Sequence, residues 1–79
     1  MSKTPWYETD PLYLDESPVE ALGLRESVTA KLIHAGLFTI HDLMSYLVAW
    51  RRNLTDLQGI GPQTAAKIAD ALAERRTKL

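Results

Sequence analysis

The sequence contains no cysteine among its 79 residues. This absence excludes a disulfide framework and a metal site built on thiolates. The chain also lacks an apolar run near the roughly 20 residues that a bilayer-spanning helix needs. Its start shows no basic segment followed by an apolar core, as a secretory signal would. We therefore expect no membrane segment and a reducing, cytoplasmic location.

Residues that carry catalysis are also scarce. The two histidines, His34 and His41, are seven positions apart and are predicted on different elements. No matched carboxylate cluster accompanies them, and Ser27 has no base near it in the sequence. The sequence therefore predicts a protein that is not an enzyme, with no metal, no cofactor and no small-molecule substrate.

The net charge is small, −1 at pH 7, but it is unevenly distributed. Residues 1–50 carry three basic and seven acidic side chains, whereas residues 51–79 carry six basic and three acidic ones. A one-sided positive field is typical of proteins that bind phosphates without sequence preference. An alternative is that Arg75, Arg76 and Lys78 only complement the dipole at a helix C-terminus.

The most informative motif is Gly59-Ile60-Gly61, which we call the hairpin, followed by Pro62. We expect both glycines to use positive φ, Ile60 to point into the core, and Pro62 to begin a helix. Backbone amides at such a helix start form a site for a phosphate, and Gln63, Thr64 and Lys67 follow at once. The alternative is a tight connector or a protein contact.

Hydrophobic periodicity predicts an all-α chain of five helices. Starts are predicted from the capping side chains Ser17, Thr39 and Thr55, and stops from Gly23 and Gly36. Glu20 and Asp42 are predicted to complete capping boxes with Ser17 and Thr39. The predicted helices span residues 17–23, 25–35, 40–50, 55–57 and 62–76. Residues 1–16, the arm, are predicted to be extended or partly disordered, and residues 17–79 to form the domain.

A weak internal repeat relates Leu32–Thr39 to Leu57–Thr64. Both stretches place a glycine between two helical segments. We therefore expect two helix-hairpin-helix units, the first degenerate and the second well formed, related by a pseudo-two-fold axis.

Residues 18–76 resemble the C-terminal domain of the bacterial RNA polymerase alpha subunit. The matching segments are residues 18–24, Leu32, 35–37, 39–43, the hairpin and 68–72. The N-terminal domain of strand-exchange recombinases is a less close match. The polymerase resemblance implies binding to the minor groove of A·T-rich promoter DNA and contact with transcription activators.

The positions that contact DNA in that family carry over only in part. Its groove-inserting arginine and the asparagine one turn later fall at Ser27 and Ala30, which cannot replace them. A neighbouring contact falls at Lys31. The hairpin glycine is present as Gly61, and later contacts fall at Gln63, Thr64 and Lys67.

The resulting prediction is a small DNA-binding domain that holds duplex backbone weakly and without sequence preference, in a transcription context. The predicted DNA-binding residues are Gly59, Ile60, Gly61, Gln63, Thr64, Lys67, Lys31, Arg51, Arg52 and Arg25. The alternative is a protein-interaction module that contacts RNA polymerase or a transcription regulator. Trp50 is predicted to close the core, and the alternative is that it stacks on a base beside Arg51 and Arg52.

Overall fold

The computed structural model describes residues 6–78, which are mostly helical and contain no β-strand. The α-helices are α1 (Glu26–His34), α2 (Ile40–Met44) and α3 (Pro62–Lys78). A π-helical segment, Ser45–Ala49, continues α2, and 3₁₀ turns span Trp6–Thr9, Val19–Leu22 and Leu54–Asp56. The all-α class is confirmed. The described residues hold three α-helices rather than five, because the predicted first and fourth helices are single 3₁₀ turns.

The segment predicted as the first helix starts in extended backbone. The Val19 amide donates to the Phe38 carbonyl (3.0 Å), and the Ile40 amide donates to the Ser17 carbonyl (2.9 Å). Because these bonds fix residues 17–19 against residues 38–40, only one turn forms afterwards. Ser17 does not cap it, since its Oγ accepts a hydrogen bond from Arg75 Nη2 instead (3.1 Å). The predicted capping box at this turn is therefore wrong.

The start of α2 follows from its own sequence. Thr39 Oγ1 accepts the Asp42 amide (3.0 Å), and Asp42 Oδ2 accepts the Thr39 amide (3.2 Å). This reciprocal pair is the predicted capping box, and it is confirmed. The predicted stops are confirmed too, since Gly23 and Gly36 follow helical segments with φ of 72° and 87°.

Trp50 lies on the surface rather than in the core. Seven residues after buried Leu43, it would return to the same face of a regular α-helix. The Trp50 amide bonds instead to the Ser45 carbonyl, five residues earlier (2.9 Å). This wider turn sets Trp50 back around the axis, and the side chain is 70% exposed. The prediction that Trp50 closes the core is wrong.

The predicted fourth helix is a 3₁₀ turn that begins one residue after Asn53. Asp56 Oδ2 accepts the Asn53 amide (3.2 Å), and the Asp56 amide donates to the Asn53 carbonyl (3.0 Å). Asn53 therefore takes the capping position predicted for Thr55, whose side chain is exposed. The α3 helix begins at Pro62, as predicted, with Ile68 and Leu72 buried.

The core takes side chains from the arm, from all three α-helices and from the 3₁₀ turns Val19–Leu22 and Leu54–Asp56. Its fully buried side chains are Leu12, Val19, Leu32, Ile40, Leu43 and Ile68. Leu12 comes from the arm, whose first five residues lie outside the described ones. Tyr13 packs against this core as well, whereas Leu14 is 62% exposed. Leu12 and Tyr13 thus anchor the arm to the remainder, and the domain boundary at residue 16 stays a prediction.

Two ion pairs fasten the arm to the end of α3. Arg75 Nε lies 2.6 Å from Asp15 Oδ2, and Arg76 Nη1 lies 2.5 Å from Asp10 Oδ2. Arg75 beside Asp15 lowers the pKa of that carboxyl from 3.8 to about 2. Both acids are mostly buried, so these pairs fix the arm more firmly than surface pairs would.

Candidate nucleic-acid interface

The hairpin is built on a single left-handed residue. Gly59 has φ of 82°, a conformation that favours glycine, and the Ile60 amide donates to the Leu57 carbonyl (3.2 Å). Ile60 is 4% exposed, so its side chain anchors the turn in the core as predicted. Gly61 does not have positive φ, which corrects the prediction that both glycines use it. A Cβ at Gly61 would meet nothing within 4 Å.

The first turn of α3 leaves several amides without acceptors. The Gly61 carbonyl accepts the Ala65 amide (2.9 Å), which makes Gly61 the N-cap residue. Pro62 has no amide hydrogen to satisfy. The hydrogen bonds found within residues 6–78 provide no acceptor for the amides of Gly61, Gln63 and Thr64. Such a group of amides at the positive end of a helix dipole suits a phosphate.

Lys31 is brought to the hairpin by a contact that the sequence does not reveal. Its Nζ donates to the Gly59 carbonyl at 2.9 Å. Its Cε would lie 3.1 Å from a Cβ added at Gly59. Lys31 also lines an open recess of about 460 Å³ with His34, Ala35, Asp56, Leu57 and Gln58. A basic side chain from α1 therefore lies beside the hairpin.

The remaining predicted contacts on α3 lie close to the same helix end. Gln63 and Lys67 are exposed and, being four positions apart, lie on one face of the helix. Thr64 is half-buried. Ile60 contributes only its backbone, because its side chain is in the core.

The three predicted arginines have different surroundings. Arg25 is the N-cap of α1, and its side chain is exposed. The Arg52 amide donates to the Tyr46 carbonyl (3.1 Å). Arg51 lines an open recess of about 430 Å³ with Trp6, Tyr7, Val48 and Ala49, which we call the Trp6 recess. No hydrogen bond found within residues 6–78 joins these three arginines to the hairpin.

The basic end of α3 is paired with acids. Arg75 and Arg76 bind Asp15 and Asp10, and Lys78 lies 3.3 Å from Glu74. The excess positive charge of residues 51–79 is therefore partly neutralised on folding by acids from the first half of the chain. Near the hairpin, the basic side chains that this geometry supplies are Lys31 and Lys67.

Sequence reasoning missed the charged residues of the arm. Asp10 is 6% exposed, and its Oδ1 accepts the Leu12 amide (3.0 Å) in addition to the pair with Arg76. A buried acid within an aromatic and acidic stretch gives no local signal of its distant partner. These acids contact the C-terminal end of α3 and not its first turn, where the candidate site lies.

No helix among residues 6–78 is both long and apolar enough to cross a bilayer. The same residues contain no cluster of three or more histidine, aspartate or glutamate side chains that could ligate a metal.

Comparison with known proteins finds no matching family model, no matching curated protein and no matching solved structure.

Proposed function

We propose that this chain is a small, non-catalytic DNA-binding domain whose hairpin holds a backbone phosphate of duplex DNA. Binding is weak and largely independent of sequence. The observation that carries the proposal is the group of acceptor-free amides at Gly61, Gln63 and Thr64, next to the ammonium of Lys31.

The backbone around these amides supports a close approach by a polyanion. Gly59 and Gly61 have no side chains to hold a nucleic-acid backbone away, and both are exposed. Lys67 is exposed on the next turn of α3, where it can meet a neighbouring phosphate. Phosphate contacts of this kind position a protein on DNA without reading bases.

The finer fold proposal is that the two glycine turns belong to paired helix-hairpin-helix units. Gly36 and Gly59 both have positive φ, and each is followed by a buried aliphatic residue, Leu37 or Ile60. Each turn then leads into a capped helix. This likeness supports an internal repeat and, with the family resemblance of residues 18–76, a role in transcription.

A titration of the labelled protein with short duplex DNA tests the proposal. We expect the largest amide shifts at Gly61, Gln63 and Thr64. With two phosphates neutralised by Lys31 and Lys67, log K should fall against log[salt] with a slope of about −2. The proposal would be overturned if DNA shifted other amides but not these three, or if the affinity did not depend on salt.

Lys67→Ala and Lys78→Ala form a matched pair for this experiment. Both remove one positive charge from α3, at positions about 16 Å apart along the helix at 1.5 Å per residue. Lys67→Ala should weaken binding to all duplexes about equally, whereas Lys78→Ala should have little effect. Equal losses would indicate attraction to net charge rather than a site at the hairpin.

The alternative function is protein interaction. Phe38 is 56% exposed and Trp50 is 70% exposed, although single exposed apolar side chains are common on soluble proteins. RNA polymerase or a transcription regulator is the partner that the family resemblance suggests. Shifts at Phe38 and Trp50 on addition of such a partner, without shifts from duplex DNA, would favour this alternative.

A further inference from the structure

The segment that follows α2 departs twice from regular backbone. Residues Ser45–Ala49 are π-helical, and Arg51 has φ of 53°, the only positive φ found at a non-glycine residue within the described chain. The left-handed conformation is strained for arginine, because its Cβ crowds the backbone. Both departures occur at functional sites more often than elsewhere.

These departures display side chains rather than bury them. Trp50 and Arg51 are exposed, and Arg51 reaches the Trp6 recess. Trp6 is 67% exposed. Its ring meets Tyr7 edge to face, with centroids 5.9 Å apart and planes at 78°. Tyr7 therefore supports one part of the indole while most of its surface stays open to solvent.

The chemistry of the Trp6 recess is aromatic and positively charged. Among the described residues that line it, Arg51 is the only charged one, and none is an aspartate or a glutamate. An open indole face attracts a flat, polarisable ring, and a neighbouring guanidinium attracts a phosphate. A nucleotide offers both groups a few ångströms apart, whereas an acidic peptide without aromatic residues offers only the anion.

We propose that the Trp6 recess binds a nucleotide of a single-stranded nucleic acid, with its base stacked on Trp6 and its phosphate held by Arg51. Stacking of this type tolerates every base, so the contact carries little sequence preference. The site is separate from the hairpin and does not depend on duplex binding there.

Tryptophan fluorescence gives a direct test, because the chain has only two tryptophans. Trp50→Phe leaves Trp6 as the sole emitter, and Trp6→Phe leaves Trp50. Addition of a short oligothymidylate should quench the emission of the Trp50→Phe variant. In Trp6→Phe the emission should change little. Quenching confined to Trp50 would overturn the proposal.

Arg51→Gly separates binding from folding. Glycine accepts the φ of 53° without strain, so this variant should fold at least as stably as the parent. It should nevertheless bind oligothymidylate several-fold more weakly. Trp6→Ala should weaken binding by about fivefold or more. Unchanged affinity in a folded Arg51→Gly protein would overturn the proposal.

Two controls separate this site from the hairpin and from general anion attraction. Lys67→Ala, which is expected to weaken duplex binding, should leave oligothymidylate binding unchanged. Polyglutamate should neither quench Trp6 nor compete with the oligothymidylate. Loss of single-strand binding in Lys67→Ala, or competition by polyglutamate, would contradict a nucleotide site at Trp6 and Arg51.

Discussion

Lys31 Nζ donates a hydrogen bond of 2.9 Å to the carbonyl oxygen of Gly59, 28 positions later in the chain. The contact joins α1 to the hairpin. An ammonium has three donors, and this bond uses one of them. The others remain available to a phosphate oxygen, so one side chain can both support the hairpin and neutralise its ligand.

Gly59→Ala should lower the free energy of unfolding by about 1 kcal/mol or more. The φ of 82° is unfavourable for alanine, and the new Cβ would lie 3.1 Å from Lys31 Cε. Denaturant unfolding measures the loss. Repeating the change in a Lys31→Ala background removes the contact but not the φ penalty, so most of the loss should persist. A loss that disappears there would mean that the contact, not the backbone, sets the cost.

Gly61→Asp should abolish duplex binding without unfolding the protein. Gly61 is the N-cap of α3, does not use positive φ, and has open space where a Cβ would lie. Aspartate is a good N-cap, so stability should hold or rise by a few tenths of a kcal/mol. Gly61→Asn, of similar size but neutral, should bind with intermediate affinity. A folded Gly61→Asp protein with parental affinity would exclude a phosphate at this helix end.

The preference for A·T-rich over G·C-rich duplex should be less than about threefold, or roughly 0.7 kcal/mol. Such a preference needs a guanidinium in the narrow minor groove. Ser27 and Ala30 are exposed on α1, and neither carries one. Competition between matched duplexes measures the ratio. A tenfold preference that is lost in Arg25→Ala would show that Arg25, at the N-cap of α1, inserts instead.

Stability should fall as the pH drops from about 4 to about 2, and part of that fall should belong to Asp15. Its pKa is lowered from 3.8 to about 2 in the folded protein by Arg75. A lowered folded pKa adds stability above the unfolded value, and this contribution is lost as the pH falls through the folded value.

Asp15→Asn should therefore lower the free energy of unfolding near pH 7 by about 1–2 kcal/mol, and by almost nothing below pH 2. Melting curves of the two proteins across this pH range measure the difference. Glu74→Gln is the control, because Glu74 and Lys78 form an exposed pair that contributes little. A loss at Asp15 that is constant with pH would contradict the ion-pair explanation.

Leu12→Ala should destabilise the protein by about 2–4 kcal/mol, because this side chain is fully buried. Leu14→Ala, two residues later, removes the same atoms from a side chain that is 62% exposed, and should change stability by less than about 0.5 kcal/mol. If Leu12→Ala lowers the free energy of unfolding as little as Leu14→Ala does, the arm is not part of the folded unit.

Local chemistry was predictable from sequence where the partner lies within one turn. The Thr39–Asp42 capping box, the stop at Gly36 and the start at Pro62 all depend on neighbouring residues alone. Ser17 was misassigned because its hydroxyl serves Arg75, 58 positions away. A pattern of neighbouring residues cannot predict a hydrogen bond to such a distant partner.

The candidate site also combines features that neighbouring residues predict with features that depend on packing between distant parts of the chain. The glycines of the hairpin predict an exposed helix start, but the contact of Lys31 with Gly59 depends on how α1 packs. The exposure of Trp50 depends on the π-helical segment Ser45–Ala49, and no single residue in that segment predicts a π-helix. The pairing of Arg75 and Arg76 with the arm likewise depends on folding, and it neutralises positive charge that would otherwise attract an anionic ligand.

The two ion pairs of the arm join positions 66 and 60 residues apart, Asp10 with Arg76 and Asp15 with Arg75. During synthesis, Asp10 and Asp15 leave the ribosome before their partners on α3. Until α3 has emerged, neither ion pair can form, because each closes a loop of 60 residues or more. These two contacts of the arm are therefore available only after the residues of α3 have been made.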